Sequence, residues 1–176
     1  MTLEAPRLRL APNARDFILA LMENVELFER RSGLRAADGL RDFFVSGEIS
    51  PAWVEKLRES APVDVWLHGY WLLERESETA VGAVGFKGPP DADGMVEIGY
   101  GVVPSREGRG YATEAAAAVV AFAFEQPDVK TVRAHTLPAR NASTRVLLKC
   151  GFTHVGEVVD PEDGLVWRWE RPKNAD

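Results

Sequence analysis

Cysteine is nearly absent from this sequence. Cys150 is the single one, so no disulfide can close within the chain and no cysteine-based zinc cluster can form. Histidine is scarce as well, and His68, His135 and His154 lack the short spacing of a metal site. Positive charge is in deficit: 21 Lys and Arg against 27 Asp and Glu give a formal net charge of −6. A surface of that sign does not suit a phosphate backbone, which argues against nucleic acid as a partner. No apolar run approaches the ~20 residues that cross a bilayer. The opening "MTLEAPRLRLAP" lacks the apolar core of a signal peptide. The expectation is a cytoplasmic protein with no metal and no membrane partner.

The remaining composition is ordinary for a globular chain, 45% hydrophobic and 27% charged over 176 residues. That length suits one domain with its own core, expected over residues 1–172, followed by a loose tail at 173–176. "RLRL" (7–10) alternates as a strand does. Phe17, Leu21, Val25 and Phe28 recur at helical steps and predict one helix over 13–30 with Asn13 as N-cap. Glycines and Pro51 break up 31–64, apart from a helix over about 51–60. Further on, strands are expected at 68–76, 79–87, 95–103, 129–137 and 164–170, and helices at 112–125 and 141–150. Strands first and then strands alternating with helices define a mixed α/β sheet. Trp66, Tyr70 and Trp71 read as core.

The chemistry concentrates in "EIGYGVVPSREGRGYATEA", residues 97–115. A helix beginning near Tyr111 presents N–H groups without partners inside the helix, at its partly positive end. Gly108 and Gly110 let the preceding backbone turn its N–H groups inward, Arg106 and Arg109 add charge, and Thr113 adds a hydroxyl. These are the parts of a phosphate or pyrophosphate cradle. Two glycines are also what a plain strand-to-helix turn would use. A Walker loop is excluded because Tyr111 and Ala112 follow Gly110, and a dinucleotide fingerprint is excluded because Thr113 holds the third glycine place. In the strand before the loop, Glu97, Gly99 and Gly101 share one face, setting a carboxylate beside bare backbone.

The run 97–115, followed by "NASTRVLLKCGF" (141–152), resembles the GNAT superfamily of acetyl-CoA-dependent N-acetyltransferases, and most of all its ribosomal-protein N-terminal acetyltransferase branch. The "TLEAPRLRLAP" opening resembles that branch too. The resemblance implies a mostly antiparallel sheet with two splayed strands. It also implies acetyl-CoA as co-substrate, with its pantetheine arm along Val102 and Val103. The pyrophosphate would then lie on Gly108, Arg109, Gly110, Tyr111, Ala112 and Thr113. Where the family loop carries Gln or Arg before these glycines, this chain has Glu107. Ser143 matches a family serine near the thioester, and Asn141, two residues earlier, is placed for a cofactor contact. The family's acid tyrosine is missing from this helix, which leaves Ser143 as general acid or as a helix-initiating hydroxyl. Glu97 is the candidate general base, or else a strand carboxylate in a salt bridge.

The implied reaction is direct attack by a primary amine on the thioester within a ternary complex. The amine is either a protein N-terminus or a small molecule. A non-catalytic acyl-CoA-binding module is the alternative. Exposed strand edges leave a homodimer open.

Overall fold

Tyr70–Glu74 (YWLLE) has four apolar residues in a row, so alternation gives it no polar face and both sides must be covered. In the computed structural model, which describes residues 1–47 and 49–174, all five positions are buried. On one face the ring of Tyr70 meets Phe122, 6.1 Å between centroids. On the other, Trp71 packs edge-on against Phe28 at 5.1 Å and Phe44 at 5.6 Å. Burying a side chain of this size contributes about 1.5–3 kcal/mol, so this strand is the spine of the core.

The strands run β1 (Leu3–Glu4), β2 (Leu8–Pro12), β3 (Arg35–Ala36), β4 (Tyr70–Glu74), β5 (Thr79–Phe86), β6 (Met95–Val102), β7 (Thr131–Thr136), β8 (Thr153–Asp160) and β9 (Gly164–Pro172). They form one sheet in the order β1-β2-β4-β5-β6-β7-β9-β8, with β3 alongside β5. Pairing is antiparallel except at β6–β7 and β3–β5. The helices are α1 (Arg15–Glu23), α2 (Val25–Ser32), α3 (Asp42–Val45), α4 (Pro51–Glu59), α5 (Val65–His68), α6 (Tyr111–Glu125) and α7 (Ala142–Lys149). The mixed α/β class and mostly antiparallel sheet match the expectation. No helix among the described residues is long and apolar enough to cross a membrane.

The single helix expected over 13–30 is two. Asn24 adopts extended backbone and its side chain accepts from the Leu27 N–H, ending α1 and capping α2 while the apolar spacing runs on through both. Asn13 is not a cap but a buried residue whose amide donates to the His68 carbonyl at 2.8 Å. Strand β8 was not foreseen because it is an edge strand with Val155 and Val159 exposed, so no apolar face marks it. At the chain's end Lys173 is held to the Lys130 carbonyl and, through its ammonium, to that of Gln126. Ala175 and Asp176 of the expected tail lie outside the described residues.

One irregularity in the sheet positions everything that follows. β6 and β7 pair only from Met95 to Glu97 against Thr131 to Arg133. Beyond Glu97, β6 stays with β5 as far as Val102, while β7 stays with β9. The two strands part, and a gap opens along one edge of β6.

Candidate active site

The free edge of β6 can be read from its hydrogen bonds. Glu97 accepts from Lys87 N–H and Val103 donates to Val81, both at 2.9 Å, so the odd-numbered residues bond toward β5. Alternation turns the backbone groups of Tyr100 and Val102 toward the gap. Val103 has both of its backbone groups engaged, since its carbonyl accepts from Arg106.

At the end of that edge the loop turns into α6. Gly108 and Gly110 have φ of 73° and 82°, the left-handed region that glycine enters without strain. Gly110 is the N-cap of α6 and offers no side-chain cap. The backbone N–H groups of residues 108 to 113 donate to no acceptor among the described residues. Six adjacent free donors beside a helix start fit a diphosphate. All of these residues but Arg109 border a cavity of about 510 Å³ that also reaches Tyr100, Val102 and Ser143. Arg106, which lines this cavity, and Arg109, which does not, both direct a guanidinium nitrogen toward Glu74, at 3.3 and 3.6 Å. Glu74 is buried and held below the usual carboxylate range by hydrogen bonds from Ser77 and Tyr111, which outweigh its desolvation. Two further cations, Arg145 and Lys149 on α7, also line the cavity, and both are exposed. The sequence reading missed this pair, although four-residue spacing on a helix puts both on one face.

Ser143 and Tyr100 are brought together. The Tyr100 phenol lies 3.0 Å from Ser143 Oγ and donates to the Ser143 carbonyl at 3.1 Å. Burial pushes the phenol up to about 12, so it keeps its proton at any physiological pH. By strand alternation Tyr100 lies on the opposite face from Glu97, and nothing local in the sequence gives it a role. Only the approach of α7 brings it to Ser143. Asn141 caps α7 in a reciprocal capping box with Thr144, its side-chain oxygen accepting the Thr144 N–H at 3.0 Å. It does not border the cavity. Cys150 is buried and its thiol is pushed up by desolvation, which makes it an inert packing residue.

Glu97 sits at the last paired rung before the gap. Lys87 Nζ lies 2.8 Å and His135 Nδ1 2.9 Å from the same carboxylate oxygen. Arg168 donates to His135 Nε2 at 3.1 Å, which leaves Nδ1 as the protonated nitrogen facing Glu97. Burial alone would raise the Glu97 carboxyl, but hydrogen bonds from His135 and Lys87 hold it below its ordinary range. It remains charged and is bridged on both sides.

On the face that Glu97 shares with Gly99 and Gly101 lies a second cavity, of about 360 Å³. A Cβ built at Gly99 meets nothing within 4 Å, whereas at Gly101 it would come 3.0 Å from the Phe43 ring. The two cavities flank β6, and Tyr100 and Gly101 are the residues that line both.

A splayed β6–β7 pair leading into an N–H-rich loop defines a class, and comparison with known proteins agrees. The family model described as the acetyltransferase (GNAT) domain matches residues 19–153, and the chain belongs to this family. It is 32% identical over 89 residues to the uncharacterized N-acetyltransferase YjdG of Bacillus subtilis, 51% of each chain. It is 41% identical over 59 residues to the FsC-acetyl coenzyme A-N(2)-transacetylase of Aspergillus fumigatus, 34% of this chain and 25% of that one. The solved structure of RimL, a ribosomal L7/L12 alpha-N-protein acetyltransferase in complex with coenzyme A, has the same fold. It matches over 100% of both chains with a TM-score of 0.68 at 18% identity. The chain spans about half the length of the Bacillus relatives it matches.

Proposed function

We propose that this protein is an acetyl-CoA-dependent N-acetyltransferase acting on a primary amine by direct attack in a ternary complex. The observation that carries this reading is the pair of cavities that meet across β6 at Tyr100 and Gly101. One cavity is built for an anion and the other is not, so two substrates can approach a common point from opposite faces of one strand.

Acetyl-CoA, when bound, supplies the acetyl group as an activated thioester. The N–H groups of Gly108, Arg109, Gly110, Tyr111, Ala112 and Thr113 hold its pyrophosphate, at roughly 1.5–3 kcal/mol for each charge-assisted hydrogen bond. Arg145 and Lys149 add charge from α7. The gap-facing backbone of Val102 and Tyr100 aligns the pantetheine arm, with Val103 fixing the strand's end. One N–H on this edge receives the acetyl oxygen as it gains charge, a donor typically worth ~2.7–4 kcal/mol. Asn141 holds the start of α7 so that Ser143 reaches Tyr100.

In the transfer the amine nitrogen bonds to the acetyl carbon, the carbon–sulfur bond breaks, and the nitrogen gives up a proton while the sulfur gains one. Glu97 serves the nitrogen's side through a water, and Tyr100 with Ser143 serves the sulfur's side. The lowered Glu97 carboxyl is a weak base, which suits an acceptor that needs little help. An α-amine of pKa about 8 is roughly a tenth neutral at pH 7.

A second reading, a non-catalytic acyl-CoA-binding module, draws support from the pairing of Glu97 Oε1 with both Lys87 and His135. Titration calorimetry of acetyl-CoA followed by thiol release over an amine panel separates the two. Binding with amine-dependent thiol release is expected. Tight binding without turnover of any amine selects the module, and absence of binding removes both readings.

A further inference from the structure

The walls of the second cavity are mostly apolar. Phe43 and Phe44 of α3, Trp53 of α4, Leu67 of α5, and Val84 and Phe86 of β5 supply most of it. Its polar side chains are Asn13, His68, Lys87 and Tyr100, and no carboxylate lines it among the described residues. His68 has no free nitrogen: Asp64 N–H donates to Nδ1 at 3.1 Å, so Nε2 carries the hydrogen and donates to Ser60 Oγ at 2.7 Å. Burial also lowers the His68 pKa, which keeps the ring neutral. Among the described residues Lys87 is the one full charge in these walls, positive and already paired with Glu97. Asn13 Oδ1 is buried without a hydrogen-bond partner, a neutral oxygen left over after the amide has bonded to His68.

We infer that the acceptor is a primary amine carried on an apolar body with no further positive charge, such as an arylalkylamine or a peptide with an apolar first residue, and that polycationic amines are rejected. The inference rests on the acetyltransferase reading of the site. An apolar body displaces water from aromatic and aliphatic walls, which is favourable at every contact. A second ammonium in the same space would leave water for walls that hold no carboxylate among the described residues, with Glu97 beyond them already paired with Lys87 and His135. The aromatic rings do not form a cage in compensation. Phe44 is packed edge-on against Trp71, and Phe86 against Trp66 and Phe122, so these rings belong to the core.

The test uses the full chain saturated with acetyl-CoA and compares phenethylamine, a Phe-start peptide and spermidine by thiol release. The two apolar amines are expected to exceed spermidine in kcat/KM by roughly tenfold or more. Phe43→Ala is expected to raise KM for phenethylamine about tenfold, with acetyl-CoA affinity by calorimetry within about twofold of wild type. Tryptophan emission, read in the coenzyme A complex, gives a measure independent of turnover. Phenethylamine is expected to change it saturably, and Trp53→Phe to remove most of that change. Equal or better use of spermidine, by either readout, overturns the inference and leaves the acetyltransferase reading standing. So does a protein that binds acetyl-CoA but neither binds nor turns over an apolar amine. A protein that does not bind acetyl-CoA overturns both.

Discussion

The two cavities flank the same strand and are made in opposite ways. The one at the start of α6 is made largely of backbone: six free N–H groups and two glycines in the left-handed region, drawn from one continuous stretch. The one beside Gly99 is made of side chains brought from α3, α4, α5 and β5, with the backbone merely exposed at its floor. A backbone site recognises what every acyl-CoA shares, a diphosphate and an amide-bearing arm, and tolerates side-chain change around it. A side-chain site changes character with each substitution in its walls. Under the proposed reading, that difference in material assigns the shared acyl-CoA to one side of β6 and acceptor selection to the other.

The largest expected effect comes from breaking the backbone side. Gly110→Val forces a β-branched residue to φ near 82°, where its Cβ also meets Arg7 Nη2 at 3.0 Å. Strain of about 1–3 kcal/mol, together with misdirected N–H donors, is expected to weaken acetyl-CoA binding on the order of a hundredfold by calorimetry. Retention of wild-type affinity would show that the cradle is not where the anion binds. The junction between the cavities is the next place to press. Tyr100→Phe is expected to lower kcat roughly ten- to a hundredfold, with the acetyl-CoA dissociation constant unchanged. Ser143→Ala is expected to cost less, since the phenol keeps the Ser143 carbonyl as a partner. An unaltered kcat in Tyr100→Phe would take the phenol out of the reaction.

The smallest effect is expected on the acceptor face, in stability as a function of pH. The folded-state pKa of Glu97 lies below its unfolded value of 4.5, so the carboxylate stabilises the fold fully above that pH. The contribution is lost as pH falls through the folded pKa. Glu97→Gln should therefore lower Tm at pH 7 by roughly 2–4 °C and flatten the acid side of the Tm profile below about pH 4.5. A variant whose Tm falls with acid as steeply as that of wild type would show that the Lys87–Glu97–His135 chain is not coupled to folding.

Much of the backbone-built half was legible before folding. The glycines at 108 and 110, the uncapped start of α6 and the glycine-gapped strand are local features, and local features survive in a linear string. Helix α7 was legible too, but not what it meets. That Tyr100 reaches Ser143 depends on α7 crossing the end of β6, a contact between residues 43 positions apart. The turn of Arg106 and Arg109 toward Glu74 was equally hidden, because Glu74 reads as the polar end of a strand and only burial makes it a strong partner. Asn24 went unread for the opposite reason. The apolar periodicity continues on both sides of it, and a single cap inside a regular pattern carries little signal.

The sequence by itself determined the mixed sheet, the main strands and helices from β4 to α7 and the glycine-bearing loop at the start of α6. Each depends on propensity, periodicity and backbone freedom over a few neighbouring residues. The tertiary structure decided that β6 and β7 part after Glu97, that Glu97 is bridged by Lys87 and His135, and that an apolar cavity faces the cradle across β6. Those outcomes depend on packing and charge pairing between segments far apart in the chain. Such interactions acquire their strength only when folding excludes water from between them.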